Sequence, residues 1–82
     1  MTRNEVKEKV IKIVAEVLNA DKETVELTSM FNEDLGADSL DSFEMVQEIE
    51  DAFDVTIADS EVPGLKTPYD VIEHVCDKLK IK

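Results

Sequence analysis

The sequence predicts an all-α fold: a small antiparallel bundle of three main helices plus a short third helix, with a long loop between helices one and two. Three observations support it. Apolar residues recur at helical spacing in three separate stretches. Helix-opening residues stand at the head of each stretch. The one β-like run, Val55-Thr56-Ile57, is too short to pair with anything. The 82 residues suit a single domain, residues 1–82, with a core of limited size.

In residues 4–18, Val6, Val10, Ile13, Val14, Val17 and Leu18 form one stripe. Thr2 and Glu5 make a capping box at its head, and Asn19 and Asp21 mark its stop. Residues 21–37 then lose the period. Val25, Leu27, Met30, Phe31 and Leu35 are spaced unevenly, which reads as a long loop pinned to the core. Such loops tend to be functional. Gly36 supplies its closing turn.

The second helix covers about residues 38–53, with Asp38 as N-cap and Asp41 as the capping-box acid. Leu40, Phe43, Val46, Ile49 and Phe53 are expected on its inward face. Asp41, Glu44, Glu48 and Asp51 recur at spacings of three and four, so they form an outward acidic stripe. Residues 54–64 connect onward, with a helical turn expected around 59–62 and interrupted by Pro63-Gly64. Thr67-Pro68 opens the last helix, which runs to about Leu79 and buries Val71, Ile72, Val75, Cys76 and Leu79.

The net charge is −11, and it is concentrated. Residues 21–61 carry −13, while the segments on either side carry +1 each. Such a field repels nucleic acid and anionic membrane and attracts basic protein surfaces. No apolar run is long enough to span a membrane. The charged start lacks the apolar stretch of a signal peptide. A lone cysteine, Cys76, suits a reducing compartment. The expectation is a soluble, cytoplasmic, monomeric protein.

Enzymatic chemistry finds little footing. His74 and Cys76 are two apart on a helix and do not share a face, so a partly exposed histidine and a buried core thiol are expected. The paired carboxylates sit on an outer stripe, where a general acid lacks the burial it needs. A calcium loop fails in both frames: from Asn32, Gly36 falls at position 5 and Phe43 at 12, and from Asp34, Gly36 falls at 3. No metal site is expected. What remains is Gly36-Ala37-Asp38-Ser39-Leu40-Asp41-Ser42. A serine in the first turn of a helix is exposed beside free N–H groups, a suitable place for a phosphodiester. By position alone, a second capping role for Ser39 is the commoner reading.

The run Asp34-Leu35-Gly36-Ala37-Asp38-Ser39-Leu40-Asp41-Ser42, followed by Glu44, closely resembles the phosphopantetheine attachment motif of acyl carrier proteins. The opening helix, residues 50–57 and Thr67-Pro68-Tyr69-Asp70-Val71 resemble the same family, so the likeness covers essentially the whole chain. It implies that Ser39 carries 4′-phosphopantetheine, installed from coenzyme A by a phosphopantetheinyl transferase and holding acyl groups as thioesters. It implies a non-catalytic carrier serving fatty-acid synthesis or a related acyl pathway. Asp38, Leu40, Asp41, Glu44, Gln47, Glu48 and Asp51 match the face that docks on basic patches of synthase and transferase enzymes. The acyl chain is expected between helices near Phe31, Phe43, Val46, Ile49 and Leu65.

Several positions depart from the commonest pattern. Phe43 stands where Val is usual and is expected to narrow or reshape the cavity mouth. Gln47 replaces an apolar residue of the recognition helix, and Ala58 replaces a proline. Val62-Pro63-Gly64 is expected to truncate or kink the short helix. Two alternatives are a carrier of aminoacyl cargo, against which Gly36-Ala37 argues, and an acidic interaction module with Ser39 unmodified.

Overall fold

Each main helix opens on a reciprocal cap. In the computed structural model, which describes residues 1–81, α1 spans Arg3–Val17, α2 spans Ser39–Phe53 and α3 spans Pro68–Leu79. At α1, Glu5 N donates to Thr2 Oγ1 (3.2 Å) and Thr2 N donates to Glu5 Oε1 (2.9 Å). At α2, Asp41 N donates to Asp38 Oδ1 (3.0 Å) and Asp38 N to Asp41 Oδ2 (3.2 Å). Thr67 and Asp70 repeat the pattern at α3, with Pro68 as the first helical residue. Each pair satisfies two backbone donors that a helix start leaves free. Asn19, Asp54 and Lys80 lie in the left-handed region just past the three helix ends.

The core follows from the apolar stripes. α1 packs against both α2 and α3. It contributes Val6, Val10 and Val14, which meet Val75 and Cys76 of α3 at almost complete burial. α2 contributes Met45, Ile49 and Phe53. Among the described residues no polar or charged residue is buried, so the interior pairs no charges. No helix among them is long and apolar enough to cross a membrane, and no strand is present.

The inward face of α2 is displaced from the one expected. Ile49 and Phe53 are buried and Val46 half-buried, but Leu40 and Phe43 are 73% and 58% exposed. The buried row is Met45-Ile49-Phe53, at strict spacings of four. At about 100° per residue, Leu40, Phe43 and Gln47 fall on the side of the helix roughly opposite that row. Apolar residues stand on two sides of α2, and α1 packs against only one of them.

The connections are fixed by backbone hydrogen bonds. The loop after α1 holds a 3₁₀ turn at Lys22–Thr24, which the sequence did not reveal. Its expected anchors hold: Val25 and Phe31 are buried and Leu27, Met30 and Leu35 half-buried. Phe31 N donates to Lys66 O (2.9 Å) and Tyr69 N to Leu27 O (3.0 Å), tying this loop to the start of α3. Between α2 and α3, the Glu50 carboxylate accepts from Ile57 N (2.8 Å) and holds the extended segment down.

A second 3₁₀ segment spans Asp59–Gly64. Pro63 and Gly64 lie inside it, so Pro63 does not interrupt the turn as expected. The proline ring fixes φ near the 3₁₀ value, and a short 3₁₀ turn loses little from one missing donor. The short third helix is this six-residue 3₁₀ segment.

Candidate functional site

The approach to Ser39 is built residue by residue. Asp34 accepts a hydrogen bond from Met30 N (2.7 Å) while its own N–H donates to Met30 O (2.9 Å). Gly36 has φ of 70°, a left-handed conformation that a side chain would strain. Ala37 is buried and donates its N–H to Phe31 O (2.8 Å). The loop is thus closed on itself immediately before α2. Asp38 caps the helix, and Ser39 is its first residue, exposed.

This position suits an anionic phosphodiester. Asp38 engages Asp41 N and Asp38 O accepts from Ser42 N (3.0 Å). The N–H groups of Ser39 and Leu40 find no acceptor among the described residues. They are unpaired donors at the positive end of a helix. Asp38 does not need Ser39 as a second cap, because the capping box is complete without it.

Next to this turn lies a cavity of about 340 Å³. Phe31, Val46, Ile49 and Leu65 line it. Phe43 does not: it points to solvent, and the cavity expectation fails for it on the helical geometry described above. Met30, Met45, Ile57, Val62 and Val71 line it without having been foreseen. The signal for Met45 was its spacing of four before Ile49. For Val62 nothing in the pattern showed which way the 3₁₀ segment would face. Ser42, one turn after Ser39, also lines the cavity, so its mouth opens on the side of α2 that carries Ser39.

The outer face of α2 is acidic as expected. Glu44, Glu48 and Asp51 are exposed, and no cation pairs with them among the described residues. Asp38 and Asp41 are partly occupied by the cap. Leu40 and Gln47 are exposed on the adjoining row.

The wall of the cavity opposite α2 is held by charge. Glu61, in the second 3₁₀ segment, accepts from Ala58 N (2.9 Å) and from Lys78 Nζ (3.4 Å). His74 Nε2 stands 3.2 Å from Glu61 Oε2, within ion-pair range when the ring is protonated but not aligned as a hydrogen bond. The Ala58 hydrogen bond, then His74 and Lys78, hold the Glu61 carboxyl below the usual carboxylate range. At the start of α1, hydrogen bonds from Thr2 do the same for Glu5. His74 is partly exposed and Cys76 is a buried free thiol, so the two make no common site. Among the described residues no group of three His, Cys, Asp or Glu side chains could hold a metal ion.

A family model described as the phosphopantetheine attachment site matches residues 8–75. An acyl carrier protein of Thermosynechococcus vestitus is 44% identical over 79 residues, covering 96% of this chain and 98% of the relative. An acyl carrier protein of Chlorobium phaeobacteroides is 37% identical over 78 residues, covering 95% and 100%. With an exposed serine at the head of a capped helix, an apolar cavity beside it and likeness along nearly the whole length, the chain belongs to the acyl carrier proteins, the phosphopantetheine-bearing carriers of acyl groups.

Proposed function

We propose that Ser39 Oγ is the point at which this carrier holds 4′-phosphopantetheine. The observation that carries the proposal is the pairing of an exposed Ser39 with two unpartnered N–H groups at the start of α2. The residues present fit the group. Ser39 and Leu40 offer backbone donors to a phosphodiester, and the neighbouring Asp38 carboxylate is turned into the cap. When attached, the arm supplies a thiol that holds acyl groups as thioesters. The chain itself performs no catalysis and acts as a covalent cosubstrate of other enzymes.

Residues 1–82 are read as one carrier domain, working as a monomer in the cytoplasm. The acyl chain is assigned to the cavity lined by Phe31, Val46, Ile49 and Leu65, where burial in an apolar lining favours it at about 25 cal/mol per Å². The docking face is assigned to Asp38, Leu40, Asp41, Glu44, Gln47, Glu48 and Asp51. Its partners are a phosphopantetheinyl transferase and the synthase and transferase enzymes of fatty-acid synthesis or a related pathway. Their complementary surfaces are basic, because the face they meet is acidic.

Intact-mass measurement tests the attachment point. Apo protein incubated with coenzyme A, magnesium and a broad-specificity phosphopantetheinyl transferase should gain the mass of one arm. Ser39→Ala should gain nothing, while Ser42→Ala should gain as the parent does. A gain that survives Ser39→Ala would place the arm elsewhere.

A further inference from the structure

The two walls of the cavity beside Ser39 are held in different ways. One is built from Met45 and Ile49 of α2 and from Phe31, all of them buried in the core. The other is built from Val62 and Pro63 of the second 3₁₀ segment, with Leu65 just after it. No residue of that segment is fully buried, and it packs closely on none of the three helices. An element with so little apolar burial opens more readily than the core around it.

Charged side chains supply the hold that packing does not. Of the three ion pairs among the described residues, two end on Glu61 in this segment. Lys78 Nζ stands 3.4 Å from Glu61 Oε2 and His74 Nε2 stands 3.2 Å from it. Both partners belong to α3. The same carboxylate accepts from Ala58 N, so it closes the head of the segment and ties it to the neighbouring helix. His74 Nε2 is shut off from solvent yet aligned with no acceptor, so the tie is not a fully satisfied one. The third pair, Arg3 with Glu73, joins residues that do not line the cavity.

We propose that Glu61, with Lys78 and His74, is a latch that limits how far this wall yields and so sets the length of acyl chain the cavity holds. Each methylene gains by burial until the cavity is full, and the next must push the wall outward. A partly exposed ion pair is worth at most about as much as the burial of one methylene. The latch therefore decides the fate of about the last one or two carbons, and not whether a chain enters. The proposal rests on the assignment of the acyl chain to this cavity.

Thermal unfolding of the loaded carrier tests it. Apo protein receives a graded series of straight-chain acyl arms, each delivered from the matching acyl coenzyme A by a broad-specificity phosphopantetheinyl transferase. In the parent, the melting temperature should rise with chain length and then break at the length that fills the cavity. Glu61→Gln keeps an acceptor for Ala58 N and removes the charge. Lys78→Met keeps the aliphatic stem and removes the charge from the other side. Each should move the break to chains longer by about one or two carbons. A loss of stability alone would lower every melting temperature and leave the break in place. Glu73→Gln removes the pair with Arg3 and should also leave it in place; a shift there would make the effect general and overturn the latch. A break that stays at the parental length in either latch variant overturns the latch alone. A parent that takes no arm, or whose melting temperature rises with no chain, overturns the reading beneath the latch and the latch with it.

Discussion

α1 and α2 have the same length and the same kind of cap, yet they serve opposite ends. Both are 15-residue helices opened by a reciprocal capping box. α1 mixes basic and acidic side chains and turns its apolar stripe inward against both other helices. α2 carries acids and no base, and leaves a leucine and a phenylalanine in water. Like charges at Glu44 and Glu48, four apart, destabilise a helix by about 0.2–0.5 kcal/mol per pair. The difference shows where this small domain keeps stability and where it gives some up. α1 is chosen for the fold, and α2 for what approaches it.

The comparison breaks most visibly at the core. Val10 of α1 is fully buried, and Val10→Ala deletes two methyl groups and leaves a cavity. Urea unfolding should show a loss of about 2 kcal/mol from transfer and cavity terms together. A loss below about 0.5 kcal/mol, the level of an ordinary surface substitution, would remove α1 from its role as the scaffold.

A smaller effect sharpens the other half. Glu44→Gln with Glu48→Gln should stabilise the protein by about 0.5 kcal/mol through relief of repulsion. The same pair of changes should slow arm transfer at low salt, and the slowing should shrink as salt is added. Stabilisation together with unchanged transfer rates would mean that the acidic row serves only solubility.

The smallest effect is in acid. Glu5 and Glu61 have their carboxyls lowered in the folded protein, Glu5 by hydrogen bonds from Thr2 and Glu61 by the Ala58 N–H, His74 and Lys78. A depressed carboxyl binds its proton less readily folded than unfolded. Its contribution to stability is present above the ordinary value of 4.5 and is lost as pH falls through the lower folded value. The melting temperature of the parent should therefore drop more steeply below pH 4.5 than that of Glu61→Gln. Parallel curves for the two proteins would show that Glu61 does not hold the second 3₁₀ segment.

Most of the architecture was legible because its signals are local. Thr2 with Glu5, Asp38 with Asp41 and Thr67 with Pro68 mark helix starts through side-chain chemistry that acts within four residues. The position of Ser39, between a left-handed Gly36 and a capped helix, was legible for the same reason. The orientation of Phe43 was not. Leu40-Phe43-Gln47 and Met45-Ile49-Phe53 are both helical rows, and only the packing of α1 decides which is covered. The continuation of the second 3₁₀ segment through Pro63 was also hidden, because a proline that stops an α-helix is compatible with a tighter turn.

Cys76 has a practical consequence. Its thiol is buried in the core and shielded from reagents while the protein is folded. The thiol at the end of the arm is then the one thiol on the native molecule that a thiol-selective dye can reach. Dye uptake by the folded protein counts loaded arms without acyl cargo, and uptake after denaturation adds one equivalent that counts chains. The ratio of the two titres gives the fraction of carrier standing ready for acylation, with no separation step.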